Sequence, residues 1–376
     1  MHLRTANGWR PLSRAAVEQR VRELSNGLLE VGCVPGDVIL IEHGTDGEAL
    51  LMAIAALEIG VTLQLGPAKL PIVAGYVASP ARAAAVALKA GLKPICVACS
   101  PTADEGQSLE RLAAHGVLHN ALHRDAVRTH TQDRRGGQRA LVTADDTTLS
   151  LAHLHAAVRT LRNVGDLLRP GEPVLIAMPV TEPWLVALAL AAIEAGAPIA
   201  VGTLQDAASL HPGVVVAACD KARGLAEAAD TQLTRAGNRY ARARSLEMQR
   251  GSANSPLRLA KFLRLPGRRA GAVSIRSLIV PDGVVPRPLC TNLHMIGTTV
   301  LHAAVDSNVA APVLLNRPHR YRFDALGLAL PDHRCTIIEG RVVVEGPATC
   351  DAPDGPTVTS ILARFGPDSF IFPLRR

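Results

Sequence analysis

Aromatic residues make up only 3% of this 376-residue chain, and no uninterrupted apolar run is long enough to cross a membrane. The longest run, 184–193, is ended by Glu194, whereas a spanning helix needs roughly 18 apolar residues. The first eight residues also lack the apolar core of a secretion signal. These absences exclude the transmembrane class and predict a cytoplasmic protein.

Cysteines are scattered, and they form no recognisable metal site. Seven of them are spread along the chain, which favours reduced thiols over a disulfide framework. Cys96 and Cys99 form a single CxxC, which cannot complete a zinc site without a second pair. Buried thiols at the end of a strand are therefore the expectation, and a redox pair is the alternative.

Histidines give no clear metal site either. His115, His119 and His123 have helical spacing, but Gly116 should weaken a helix there. A solvated face is therefore favoured over a metal site. The chain also lacks the GxSxG turn of a serine nucleophile and the HExxH helix of a zinc protease, so neither catalytic metal nor nucleophile is predicted.

Positive charge is concentrated in one segment. Hydrophobic residues make up 48% of the chain and charged ones 19%, as in a globular protein, and the net charge is +7. The segment from Arg235 to Arg269 holds ten Lys and Arg residues against one acid, Glu247. Such a cluster predicts contact with an anionic surface, either lipid or an acidic partner protein, and a solvated arginine loop is the alternative. Tyr240 and Phe262 are its only aromatic residues, so specific nucleic-acid binding is not predicted.

Two stretches of the chain repeat each other. Residues 12–60 and 149–196 share three dipeptides in the same order and one similar block of six residues. The dipeptides are Leu12-Ser13 and Leu149-Ser150, Pro35-Gly36 and Pro170-Gly171, and Leu40-Ile41 and Leu175-Ile176. The blocks are 55–60 and 191–196. A chain that repeats a supersecondary unit usually repeats its architecture.

Each copy has the pattern of helix, buried strand, helix and strand. The helices should begin at Ser13 and Ser150, whose hydroxyls can cap the first turn. The predicted later elements are strand 38–41, helix 48–59 and strand 61–65 in the first copy, and strand 174–178, helix 184–195 and strand 198–201 in the second. Strand, helix and strand with short loops imply parallel pairing. The predicted fold class is α/β, with two doubly wound parallel-sheet lobes related by an internal repeat.

Several segments, taken in order, resemble the adenylate-forming superfamily of acyl-CoA synthetases, adenylation domains and luciferases. They are 27–38, 175–179, 275–278, 326–331 and 339–347. The resemblance implies the N-terminal domain of that family, with a small C-terminal β region. It also implies chemistry in which ATP and a carboxylic acid give an acyl-adenylate, which then forms a thioester, commonly with coenzyme A.

Combining repeat and resemblance, we predict a first α/β lobe over 1–138 and a second over 139–310, which carries the basic insert 235–269. A small β subdomain is predicted over 311–376. Too few residues follow Pro347 for the family's mobile C-terminal domain of roughly a hundred residues.

The family's phosphate-binding loop should lie just before the second repeat. Thr143, Thr147 and Thr148 are there as remnants of a nucleotide site, but this stretch has no glycine and no lysine. Asp145 and Asp146 stand where a triphosphate would approach and would repel it. Without glycine, the backbone should not readily make the positive-φ turns that point N–H groups at phosphate. We expect one of these aspartates to cap a helix, with Mg²⁺ binding as the alternative.

The segment that resembles the family's adenine-binding motif is also altered. Ala304 stands for its tyrosine, Val305 for its glycine, Ser307 for its threonine and Asn308 for its glutamate. The stacking ring and the Mg²⁺ carboxylate are therefore both missing. Asp306 is adjacent to Ser307, but on an extended strand its side chain should point to the opposite face.

The other functional positions of the family differ as well. Glu182 stands where the family usually has a histidine near the acyl pocket, and Trp184 and Gly283 are the other acyl-pocket candidates. The ribose-binding aspartate has no counterpart. No lysine follows Lys261, so the family's catalytic lysine has none either.

These differences predict a non-catalytic or accessory homologue, a pseudoenzyme of acyl or carboxylate metabolism. It would bind an acyl or aromatic carboxylate or pair with another protein. No residue is predicted to be catalytic. The alternative is a divergent ligase, completed by a partner chain, that uses ATP and Mg²⁺. A third possibility is a scaffold anchored through the segment from Arg235 to Arg269.

Overall fold

The computed structural model describes most of the chain, namely residues 1–5, 8–42, 46–66, 72–77, 96–99, 109–118, 139–143, 145–225, 275–281, 283–295, 297–350 and 356–374. The basic segment from Arg235 to Arg269 lies outside the described residues, as do His119 and His123. Cys96 and Cys99 lie on a described strand, and the statements about their thiols stay predictions.

Seven helices have defined bounds, and residues 219–225 are also helical. The helices are α1 (Arg14–Glu30), α2 (Gly47–Glu58), α3 (Leu109–Leu118), α4 (Leu151–Arg162), α5 (Pro183–Glu194), α6 (Ala207–Leu210) and α7 (Arg287–Met295). Ser13 and Ser150 cap α1 and α4 as predicted. None of the helices in the described ranges is long and apolar enough to cross a membrane.

The first sheet has six strands, five of them parallel. The strands are β3 (Val38–Ile41), β4 (Thr62–Leu65), β5 (Ala74–Val77), β6 (Cys96–Cys99), β7 (Arg139–Val142) and β8 (Thr148–Ser150), in the spatial order β6-β5-β3-β4-β7-β8. Only the edge strand β8 is antiparallel to its neighbour. Every residue of β4 is buried, as expected for a strand covered on both faces.

The second sheet has nine strands, with six parallel strands in its centre. They are β1 (His2–Thr5), β2 (Gly8–Pro11), β9 (Val174–Ile176), β10 (Ile199–Val201), β11 (Val214–Val216), β12 (Ser277–Val280), β13 (Thr299–Ala304), β14 (Leu314–Leu315) and β15 (Leu328–Ala329). Their spatial order is β15-β14-β13-β12-β11-β9-β10-β1-β2. Antiparallel strands β2, β14 and β15 form the two edges.

The centres of the two sheets have the same topology. Strands β6-β5-β3-β4 and β12-β11-β9-β10 follow the same order, with β3 and β9 beginning each βαβ unit. In both units the crossover helix, α2 or α5, joins neighbouring parallel strands. The predicted α/β fold with parallel sheets is confirmed.

The C-terminal region forms a small antiparallel sheet, as predicted. Its strands are β16 (Arg334–Ile338), β17 (Arg341–Glu345), β18 (Thr357–Phe365) and β19 (Ile371–Pro373), paired in chain order. Its apolar residues pack with the end of the second sheet, where Val309 and Leu314 share a core cluster with Val342 and Val344.

Strand pairing crosses the predicted domain boundaries. β7 and β8 follow residue 138 but complete the first sheet, while β1 and β2 precede it but extend the second sheet. The side-chain pattern of a strand does not reveal which sheet the strand joins, because strands pair through their backbones. The division of the chain into folding units at 1–138, 139–310 and 311–376 stays a prediction.

Helices α1 and α3 pack closely at a point where each carries a glycine. A side chain on Gly116 would overlap the Glu23 carbonyl of α1, and one on Gly27 would overlap the Leu112 carbonyl of α3. The expectation that Gly116 weakens a helix here is therefore incomplete. Close packing against α1 offsets its low helix propensity.

We expect Gly116→Ala to lower the free energy of unfolding by about 1–3 kcal/mol, because the added methyl overpacks two helix backbones. Gly224→Ala is the matched control, since Gly224 is helical and a side chain there would meet nothing within 4 Å. The control should gain roughly 0.4–1 kcal/mol. Urea denaturation measures both, and equal effects would contradict the proposed helix contact.

His302 is a buried histidine held in its neutral form. It is 0% exposed on β13. Its Nε2 accepts a hydrogen bond of 3.0 Å from the Val285 N–H, so Nδ1 carries the proton and donates to the Ala325 carbonyl at 3.2 Å. Burial lowers the pKa of His302 to about 4, from an ordinary value of 6.5.

This histidine should make the fold sensitive to acid. Between pH 6.5 and about 4, the unfolded chain binds a proton at His302 that the folded chain does not, so acidification favours unfolding. We expect His302 to account for a loss of up to about 3 kcal/mol over that window. His302→Gln should be less stable at pH 7.5 but lack this share of the pH dependence. Parallel urea titrations of both proteins that show identical pH dependence would contradict it.

Candidate functional site

One cavity collects the ends of strands from both large sheets. Its volume is about 640 Å³, and it lies beside the residues that follow the carboxyl ends of β3, β4, β7, β9 and β13. The described lining residues are Glu42, Gly66, Thr143, Asp145, Pro179, Thr181, Glu182, Pro183, Trp184, Val305, Asp306, Ser307 and Ser360. Ligands of open α/β sheets bind at this edge, outside the carboxyl ends of the strands.

The described part of the cavity wall is acidic. Four of its described lining residues are carboxylates, at Glu42, Asp145, Glu182 and Asp306, and none is lysine, arginine or histidine. The excess of negative charge is local, because the whole chain has a net charge of +7. Every charged side chain among the described lining residues is therefore negative.

The segment expected to hold phosphate forms a tight turn between β7 and β8. The Thr143 N–H donates to the Thr147 carbonyl at 3.0 Å, and the Asp146 N–H donates to the Thr143 carbonyl at 3.1 Å. Asp146 adopts a φ of 64°, so the turn reaches the left-handed region without glycine. Aspartate tolerates that region better than most residues. Two N–H groups are thus used within the turn.

Neither aspartate of this turn caps a helix, and that expectation was wrong. The cap of α4 is Ser150, whose Oγ accepts from the His153 N–H at 3.3 Å. His153 returns the bond, because its Nδ1 accepts from the Ser150 N–H at 3.2 Å. A short strand, β8, separates the aspartates from the helix. Asp145 is instead an exposed residue on the rim of the cavity.

Thr143 contributes a buried hydroxyl to the cavity wall. The residue is only 3% exposed, and its Oγ1 has no hydrogen-bond partner among the described residues. A buried polar atom without a partner costs about 1–3 kcal/mol. A ligand with a polar group could satisfy it.

Asp306 ties the second sheet to the small sheet. Its Oδ2 accepts from the Ser360 N–H at 2.8 Å and from the Ser360 hydroxyl at 2.9 Å. Its Oδ1 accepts from the Asn308 N–H at 3.1 Å and from Asn308 Nδ2 at 2.9 Å. The expectation that Asp306 faces away from Ser307 was wrong. β13 ends at Ala304, so the alternation of a strand no longer applies, and both residues line the cavity.

The two predicted nucleotide-site segments do meet. The Thr147 hydroxyl donates to Asn308 Oδ1 at 2.8 Å, across 161 positions of sequence. Thr148 is half-buried on β8 and is not among the described residues that line the cavity. This bond fixes the 143–147 turn against the segment after β13.

The acyl-pocket candidates separate into two groups. Glu182 and Trp184 line the cavity at the start of α5, and Trp184 Nε1 donates to Glu182 Oε2 at 2.6 Å. Trp184 is 2% exposed and gives the cavity an apolar wall. Gly283 instead lies against Cys219, whose sulfur would be 3.1 Å from an added Cβ. It is not among the described lining residues.

Sequence reasoning missed Glu42 and Ser360 as site residues. Glu42 is buried and directly follows the apolar strand β3, so a polar residue at the carboxyl end of a parallel strand was the available signal. Ser360 lies on β18, far along the chain from the other lining residues. No sequence pattern marked it, because the hydrogen bonds to Asp306 bring it to the site.

In the ranges that the structure describes, no three acidic, histidine or cysteine side chains converge closely enough to hold a metal ion. The four cavity carboxylates are therefore spread around its wall. Their shared contribution to the cavity is a combined negative field rather than a single coordination sphere.

Comparisons with known proteins support the fold. No family model and no curated protein sequence matches the chain. Among solved structures, apo MatB from Rhodopseudomonas palustris is 18% identical with a TM-score of 0.72, over 99% of this chain and 74% of MatB.

Two further structures have the same fold. The anthranilate CoA ligase AuaEII in complex with anthranoyl-AMP is 11% identical with a TM-score of 0.69, over 96% of this chain and 71% of the ligase. The N-terminal domain of FACL13 from Mycobacterium tuberculosis is 12% identical with a TM-score of 0.67, over 96% of this chain and 92% of that domain. The chain therefore has the fold of the N-terminal part of adenylate-forming enzymes.

We expect Asp306→Ala to lower the free energy of unfolding by about 1–3 kcal/mol, because it removes the hydrogen bonds that Ser360 and Asn308 donate to a charged carboxylate. Asp145→Ala should change it by less than about 0.5 kcal/mol, since that residue is exposed on the same cavity rim. Thermal and urea unfolding compare the two. An Asp306 variant as stable as the Asp145 variant would show that the carboxylate does not hold the small sheet.

Proposed function

We propose that this chain is a ligand-binding protein built on the scaffold of adenylate-forming enzymes, and that it does not itself activate a carboxylic acid. Its role would be accessory, in acyl or carboxylate metabolism. One observation carries the proposal: the cavity at the carboxyl ends of strands from both large sheets has four described carboxylates and no described basic residue.

A triphosphate is a poor match for this lining. Carboxylates at short range repel it by roughly a few kcal/mol unless a cation lies between them. A phosphate cradle also needs backbone N–H groups that point at the ligand. In the 143–147 turn, the N–H groups of Thr143 and Asp146 are used inside the turn.

The resemblance of the sequence to the family supports the scaffold half of the proposal. AuaEII, which has this fold, is solved with anthranoyl-AMP. The strand order shared by the two sheets supports the internal repeat, with β3 equivalent to β9 and β4 to β10.

A second candidate function is a divergent ligase that is completed by another chain. The buried Thr143 hydroxyl favours it, because this atom has no hydrogen-bond partner among the described residues and Thr143 lines the cavity. This candidate predicts that ATP with Mg²⁺ binds and raises the melting temperature, and that Thr143→Val reduces the rise.

The deciding experiment measures AMP and pyrophosphate released from ATP and Mg²⁺ with a panel of short, long-chain and aromatic carboxylic acids. We expect no release above the control without acid, because the cavity repels the triphosphate. MatB assayed in parallel with its own substrate is the positive control. Acid-dependent AMP formation that scales with the amount of this chain would refute the non-catalytic function.

A further inference from the structure

The charge of the cavity points to the chemistry of its ligand. Glu42 and Asp306 bring carboxylates from two different sheets, Glu182 stands at the start of α5, and Asp145 lies on the rim. Glu42 is only 6% exposed. A negative field in a partly enclosed, low-dielectric site is screened less than one on an open surface.

A second observation, independent of the carboxylates, also indicates a ligand. Thr143 lines the same cavity, is 3% exposed, and has a hydroxyl that no described residue hydrogen-bonds. Natural proteins leave few such atoms without a partner, and each calls for an explanation. A polar group of a bound molecule would provide the partner.

The walls set the size and kind of molecule. A volume of about 640 Å³ is in the range of small-molecule pockets. Trp184 and Pro183 supply an apolar surface beside the carboxylates. A ligand that matches both kinds of wall has a positive charge and an apolar body.

We propose that this cavity binds a small organic amine in its protonated form, with the ammonium among the carboxylates and an apolar body against Trp184. The inference rests on the proposed function only in taking this cavity as the ligand site. It does not require that the chain be inactive with ATP. The combined negative field of the carboxylates attracts an ammonium, which can also donate to the Thr143 hydroxyl oxygen.

The test uses probes that share shape and differ in charge. Phenethylamine and 3-phenylpropionate share a phenylethyl body, and hexylamine and heptanoate share a hexyl body. Isothermal titration calorimetry with the full chain at neutral pH compares each amine with its carboxylate. We expect at least one amine to bind at least tenfold more tightly than its partner. Its affinity should fall as salt rises from about 0.05 to about 0.5 M, because salt screens charge.

Glu182→Gln tests the cavity itself. The amide keeps an acceptor for Trp184 but removes the charge, so amine affinity should fall about three- to tenfold. Glu194→Gln is the matched control, since Glu194 lies at the other end of α5 and pairs with Arg162 on the surface. It makes the same change in net charge and should leave amine affinity within about twofold, because distant exposed charges are screened.

Three results would overturn the inference. They are carboxylates that bind as tightly as the amines, no binding by either amine, and equal losses in the two variants. AMP formation with ATP would end the proposed non-catalytic function but would leave the amine result unchanged. The two ideas therefore fail separately.

Discussion

A single carboxylate fixes the geometry of the candidate site. Asp306 uses both oxygens, one toward Ser360 of the small sheet and one toward Asn308 of its own segment. Asn308 in turn accepts the Thr147 hydroxyl from the turn after β7. Three parts of the fold thus meet through one chain of hydrogen bonds. Such networks are stronger when every member is satisfied, so the wall of the cavity depends on all of them.

The same residue also contributes to the negative field, so it stabilises the fold through hydrogen bonds while its charge repels the other carboxylates. Two neighbouring acids, Asp145 and Glu182, add to that field. Like charges around a cavity disfavour the compact state unless something of opposite sign offsets them. In this cavity, hydrogen bonds from Ser360 and Asn308 hold the charged carboxylate of Asp306 in the wall. A ligand of positive charge would relieve the repulsion of the others.

Much of the fold could be predicted from local sequence, since capping and buried apolar strands are local properties. Ser13, Ser150 and the strand 38–41 are examples. The site was harder, because its details depend on long-range contacts. Asp306 turned toward the cavity once its strand ended, and Asp146 took a left-handed turn that aspartate permits. Pairing between distant strands carries no side-chain pattern, which is why the exchange of strands between the sheets was not foreseen.

The pairing of β1 with β10 has a consequence for biosynthesis. His2 aligns with Ala200 in parallel strands, and the amino group of Met1 donates to the Leu12 carbonyl at 3.1 Å. Strand β1 must therefore wait for a partner made roughly 200 residues later, which takes on the order of 10–40 s at ordinary elongation rates. Until then, the hairpin has no sheet to join and exposes its edge. The first sheet needs only residues up to Ser150 and can form earlier, so the order of synthesis favours completing that lobe first.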